Sequence, residues 1–155
     1  MPISFKSLKD AYPIQPKPDL FTALGGEWPT LVDNPAYANT CAIRLSVALK
    51  GAGSAIPGKY KEAIEGDGSP IVVKVKTFRD LVIELFGKSY WGMSKSPGTP
   101  VGLGTIPKRS GILVYHAAWK DATGHFDLWT GTGFVGAGNF QDVADGYDLE
   151  LWAID

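Results

Sequence analysis

The clearest pattern in this chain is one helical stretch, Asn39-Thr40-Cys41-Ala42-Ile43-Arg44-Leu45-Ser46-Val47-Ala48-Leu49-Lys50-Gly51, and any fold must be built around it. Asn39 or Thr40 suits the N-cap, Ala and Leu fill the interior, and Gly51 suits the C′ position. Residues 41, 45, 48 and 49 share one face, which predicts a central, largely buried helix with Cys41 in its first turn. A second amphipathic stretch, Thr77 to Phe86, aligns Phe78, Leu81, Val82, Leu85 and Phe86, and Gly87 closes it. Ahead of both, Ser7 to Tyr12 reads as a short helix ended by Pro13. Asp19 to Leu24 reads as another, capped by Asp19 and stopped by Gly25-Gly26. The stretch from Glu27 to Tyr37, with Pro29 and Pro35, reads as irregular.

The period then changes. Ile71 to Val75 is a short β-rich run, and Gly111 to Ala117 is apolar enough for a central strand. Gly124 to Trp129 and Leu149 to Ile154 alternate with period two, and Gly131-Thr132-Gly133 suits a hairpin turn. Ser89 to Lys108 shows little periodicity and reads as a long loop. Nineteen glycines and eleven prolines fit a chain of short elements and many turns. Helices first and a mainly antiparallel sheet after them make an α+β arrangement, and 155 residues without repeat or linker make one domain, 1–155.

Fifteen basic and sixteen acidic side chains give a net charge of −1, without the clustered basic face of a nucleic-acid binder. No run approaches the ~18 apolar residues of a membrane-spanning helix. The N-terminus, Met1-Pro2-Ile3-Ser4-Phe5-Lys6, has no basic segment followed by an apolar one, so no Sec signal peptide is expected. Action outside the producing cytoplasm then requires a carrier that does not read such a signal.

The single cysteine excludes an internal disulfide and a zinc–thiolate cage. Most lone cysteines are small buried hydrophobes; a nucleophile needs a histidine within reach. In the first turn of a helix, Cys41 lies at the positive end of the helix dipole. Backbone N–H groups there favour a thiolate and can donate to the oxyanion formed when it attacks a carbonyl. His116 lies within an apolar strand. His125 shares a strand face with Asp127 and Trp129, opposite Phe126 and Leu128, and that face meets either Cys41 or solvent. A third group should orient the imidazole. An antiparallel return centred on Thr132 sets residue 125 opposite Asn139, whose side-chain carbonyl can accept the imidazole N–H; a slip in the turn offers Asp142 instead. Asp127 is a further candidate, or else a carboxylate on the surface or behind the site. Two histidines and one cysteine give no zinc-ligand spacing, so no metal or other cofactor is expected.

At these residues the chain resembles a known family. Asn39 to Ser46, followed by Leu49 and Gly53…Ile56-Pro57, resembles the nucleophile helix of the type VI secretion amidase effectors, fourth family. Gly124-His125-Phe126-Asp127-Leu128-Trp129 is similar to that family's histidine strand, and Tyr12-Pro13, Leu24-Gly25-Gly26 and Val75 to Gly87 match its layout. The resemblance implies an NlpC/P60-like papain-type fold in which helices, the nucleophile helix among them, pack on a mainly antiparallel sheet. It implies a single catalytic domain, with Cys41 as nucleophile and His125 as base. It also implies hydrolysis of the D-Glu–meso-diaminopimelate bond of peptidoglycan stem peptides in the periplasm of rival bacteria. Type VI injection would replace a signal peptide, and a cognate immunity protein is the implied partner. Family members usually place an Asp shortly after the histidine strand; here that region offers Asn139 and then Asp142. Trp28, Tyr37, Trp91, Trp119 and the loop Ser89–Lys108 are either the walls of a substrate groove or ordinary core and rim. The competing readings are a cysteine hydrolase of another amide and a catalytically inactive wall- or partner-binding module.

Overall fold

A computed structural model describes residues 3–37, 40–54, 56–60, 65–66, 69–95, 103–116, 124–136 and 147–155. The first helix, α1 (Phe5–Ala11), begins earlier than Ser7 because Ser4 caps it, its hydroxyl accepting the Ser7 N–H at 3.1 Å. Helix α2 (Lys17–Leu24) starts after Pro16, so Asp19 lies in its first turn rather than at the cap. The span from Glu27 to Tyr37 contains two short 3-10 turns, Trp28–Leu31 and Pro35–Tyr37.

Helix α3 runs Cys41–Gly51 with Thr40 as N-cap. The Thr40 hydroxyl accepts from Arg44 Nε at 3.0 Å instead of capping a backbone N–H. Asn39, the other candidate cap, lies outside the described residues. Gly51 belongs to the helix rather than following it; Ala52 is the cap, and its N–H returns to the Ala48 carbonyl. A two-strand hairpin follows, β1 (Glu65–Gly66) and β2 (Ser69–Pro70). Helix α4 spans Val75–Phe86 and ends at Gly87, whose φ of 80° is one that only glycine adopts freely and whose N–H closes on the Ile83 carbonyl.

The main sheet contains β3 (Trp91–Lys95), β4 (Gly111–His116), β5 (Gly124–Trp129) and β6 (Tyr147–Ala153) in the order β3-β6-β4-β5, antiparallel throughout. One face presents Ile112, Val114, Phe126, Leu128 and Trp152 to the apolar sides of α3 and α4, where Leu45, Ala48, Leu49, Phe78, Leu81 and Val82 meet them. The other buries Leu113, Trp129, Leu149 and Leu151 under Ile106 and Phe134. All four positions predicted for the inner face of α3 (41, 45, 48 and 49) are buried. A third cluster, Leu20, Phe21, Leu24, Trp28, Ile43 and Ile71, fastens α2 to α3.

Two segments depart from the sequence expectation. The run 71–75 pairs with no strand: Ile71 and Val72 are fully buried in coil, and Val75 opens α4. The Val72 N–H donates instead to a side chain, Ser46 Oγ, at 3.0 Å. The supposed loop Ser89–Lys108 contains β3 and a 3-10 turn, Leu103–Thr105. Trp91 and Met93 pack on the sheet's second core while Gly92 and Ser94 stay exposed, a period-two alternation short enough to pass for loop.

Candidate active site

Cys41 is the first residue of α3 and only 3% exposed. The first intrahelical hydrogen bond runs from the Arg44 N–H to the Thr40 carbonyl at 2.9 Å. The N–H groups of Cys41, Ala42 and Ile43 therefore precede the ladder, at the end of the helix that carries its positive partial charge. Helix α3 packs directly on β5, the strand that carries His125. Cys41, Phe126 and Leu128 lie in one core cluster, which also takes in Tyr12 at the end of α1. His125 is half-buried and paired with Tyr115 of β4, and its Nε2 is buried. Burial lowers its pKa from 6.5 to about 4, so at neutral pH the imidazole is uncharged and able to accept a proton. His116 ends β4 opposite Gly124 and Asp148.

Arg44 joins the approach to Cys41 to the N-terminal segment. Its Nη1 donates to the carbonyls of Pro13 (3.0 Å) and Gln15 (2.8 Å), while Nε holds Thr40, the residue just before Cys41. Tyr12, immediately before Pro13, has its hydroxyl pKa pushed up, first by burial and then by the Asp127 carboxylate; Arg44 opposes this and Cys41 adds to it. The phenol stays neutral.

Asp127 is not a surface carboxylate. It is fully buried, and its Oδ1 accepts the N–H of Leu128 and the N–H of Gly136, each at 2.8 Å. The return after β5 is tighter than a turn centred on Thr132. Thr130 Oγ1 accepts the Gly133 N–H (3.1 Å), Gly133 O accepts the Thr130 N–H, and Trp129 bridges to Phe134, one residue short of the symmetric register. Asn139 and Asp142 lie outside the described residues. Of the aromatics expected to line a groove, Trp28 is fully buried between Phe21 and Tyr37, edge to face with both, and is core. Trp91 is half-buried on β3, Tyr37 is half-buried against Trp28, and Trp119 lies outside the described residues.

A cavity of about 630 Å³ between α4 and the end of β6, lined among others by Ile3, Leu85, Phe86 and Ile154, contains neither Cys41 nor His125. Among the described residues no three of His, Cys, Asp and Glu are grouped to hold a metal ion, and no helix is long and apolar enough to cross a membrane. Helix α3 carries a buried thiol at its N-terminus, and β5, packed against that helix through Phe126 and Leu128, carries a neutral imidazole at a position that alternates with them, on the strand face of Asp127 and Trp129. The residue that sequence reasoning undervalued is Tyr12. Its only signal was its place in a Tyr-Pro pair, which does not reveal that its hydroxyl approaches Asp127.

The architecture is shared with solved structures. The effector–immunity complex Tae4–Tai4 from Enterobacter cloacae matches with TM-score 0.82 and 21% identity over 100% of both chains. The Tae4–Tai4 complex from Salmonella Typhimurium matches with TM-score 0.83 and 19% identity, again over 100% of both chains. The effector Tae4 from Enterobacter cloacae by itself matches with TM-score 0.81 and 22% identity over 100% of this chain and 98% of the other. At these identities the likeness establishes the fold, and it is the expected α+β arrangement of helices packed on an antiparallel sheet. No curated protein sequence matches the chain. The profile of the family described as type VI secretion system (T6SS), amidase effector protein 4, matches residues 37–152, a span that holds both Cys41 and His125. The chain belongs to that family of amidase effectors.

Proposed function

We propose that this effector is a cysteine amidase, a single catalytic domain over 1–155, that cleaves the D-Glu–meso-diaminopimelate bond of peptidoglycan stem peptides. The observation that carries the reading is Cys41 as the first residue of buried α3, with the strand of His125 packed on that helix. His125 takes the thiol proton as the sulfur attacks the D-Glu γ-carbonyl carbon. The Cys41 backbone N–H donates to the resulting oxyanion. Collapse breaks the C–N bond, and His125 returns the proton to the departing diaminopimelate amine. Water, deprotonated by His125, then hydrolyses the thioester to a D-Glu carboxylate and the free thiol. No metal enters the scheme. The group that orients the imidazole comes from the chain after Gly136, where Asn139 and then Asp142 can serve.

Membership of a type VI effector family supports delivery into the periplasm of target bacteria. The structural relatives crystallised with Tai4 support a cognate immunity protein as partner. The test is digestion of purified Gram-negative sacculi followed by mass analysis. Wild type should release fragments ending in D-glutamate, Cys41→Ala none, and His125→Ala about 10²–10⁴-fold less than wild type. Sacculi left intact by wild type, or digestion retained by Cys41→Ala, would overturn the reading.

A further inference from the structure

Asp127 lies two residues from His125, and the Cys–His chemistry proposed above leaves its role open. In an edge strand the outward N–H groups have no ladder partner. The outward carbonyl of Leu128 is taken by the Val135 N–H, and the outward N–H of Leu128 is taken by Asp127 Oδ1. The same oxygen takes the N–H of Gly136, just past the hairpin. One carboxylate oxygen therefore seals the edge of β5 and holds the returning chain to it, using both its lone pairs.

Tyr12 closes on the same point from another element. A Cβ added at Gly136 would stand 2.6 Å from Tyr12 Oη, 2.8 Å from Asp127 Oδ1 and 3.2 Å from Oδ2. The phenol, the carboxylate and the Gly136 backbone thus converge with no room for a methyl group. Tyr12 ends α1, and the carbonyls that follow it are held by Arg44, which also holds Thr40 beside Cys41. Arg44 thus links Thr40, next to Cys41, to the segment that follows Tyr12, and Tyr12 in turn meets Asp127 two residues along β5 from His125.

We propose that Asp127, with Tyr12 and Gly136 closed around it, is a positioning residue that fixes β5, and so His125, on the nucleophile helix, and that it is not the group that orients the imidazole. The proposal rests on Cys41 and His125 being the reacting pair. It makes a sharp distinction between two substitutions. The bonds to Leu128 and Gly136 both end on Oδ1, so the carbonyl oxygen of Asn can accept both, whereas Ala accepts neither.

The experiment compares wild type, Asp127→Asn, Asp127→Ala and Gly136→Ala in stem-peptide hydrolysis and in amide hydrogen exchange at Leu128 and Gly136. Asp127→Asn should keep kcat, KM and the protection of both amides close to wild type. Asp127→Ala and Gly136→Ala should lose protection at those amides and lower kcat by about 10²-fold with little change in KM, as a displaced base does. A loss of about 10⁴ in kcat for Asp127→Asn with both amides still protected would overturn the proposal, since that is how the loss of an imidazole-orienting carboxylate reads. Full activity in Asp127→Ala would overturn it as well. If Asp127→Ala does not fold, Asp127→Asn and Gly136→Ala still decide. Inactive wild type would refute the peptidase reading; amides protected in Asp127→Asn and exposed in Gly136→Ala would then still show the closure, which separates the two failures.

Discussion

His125 stands on β5, the strand packed on the helix of Cys41, half out of water, and its surroundings resist charge. Desolvation places its pKa near 4 against an ordinary 6.5. In the folded protein the imidazole is therefore neutral across the mildly acidic range in which an exposed histidine protonates. Two consequences follow in the same window. The acid limb of kcat/KM, which reports groups of the free enzyme, should fall near pH 4 rather than 6.5, measurable as initial rates from pH 3.5 to 8. For stability the sign is fixed by linkage. Between pH 6.5 and about 4 the unfolded chain holds the proton and the native chain does not, so this residue makes stability fall as pH drops through that window. Above 6.5 both states are neutral and the contribution is flat. Urea midpoints of wild type and His125→Asn should diverge progressively below pH 6.5; parallel curves would show that the imidazole is not desolvated in the native state.

At the level of elements, one hydroxyl of α3 ties the helix to the coil that leads into α4. Ser46 is fully buried, donates to the Ala42 carbonyl at 2.8 Å and accepts the Val72 N–H at 3.0 Å. Ser46→Ala leaves a buried N–H without that acceptor, at a cost of about 1–3 kcal/mol. The urea midpoint should fall with the m-value unchanged, and activity per folded molecule should stay at wild type. The same contact explains a misreading of the sequence. Ile71-Val72-Val73 has the composition of a strand, yet the Val72 N–H is taken by a serine 26 residues earlier, and composition carries no information about such a partner. Where the signal is periodicity the sequence is more legible. The alternation in 124–129 and the apolar run from 111 gave β5 and β4, and the stripe in 77–86 gave most of α4. The five-residue β3 lacked enough repeats to stand out. The placement of Cys41 at the helix start was legible because a cap and an Ala/Leu-rich interior define a boundary. The burial of Asp127 was not, because it depends on a hairpin one residue tighter than symmetry suggests.

Across the whole molecule, the two layers are joined by hydrogen bonds as well as by apolar packing. Trp152 of β6 is buried and sends its indole N–H to the Gly87 carbonyl at the end of α4, at 2.9 Å. Arg79 of α4 reaches Glu150 of the same strand at 2.6 Å, on a partly shielded surface. Trp152→Phe keeps most of the apolar volume and removes the indole donor, so it should cost about 1 kcal/mol. Calorimetry should register that as a fall in Tm of about 2–4 °C for a domain of this size. A larger loss would mean that the ring itself, rather than its N–H, joins the layers.

Strand β6 is the last strand in sequence, and it lies between β3 and β4. Strands that begin 56 and 36 residues earlier find their common neighbour only when residues 147–153 arrive. Until then β4 and β5 are a lone hairpin, β3 has no ladder, and the sheet offers α3 no complete face to pack on. The encounter closes long loops, and loop closure slows the search for the native state more than it weakens it. The helix of Cys41 and the strand of His125 therefore share the support of a sheet that is complete only once its last strand has joined it.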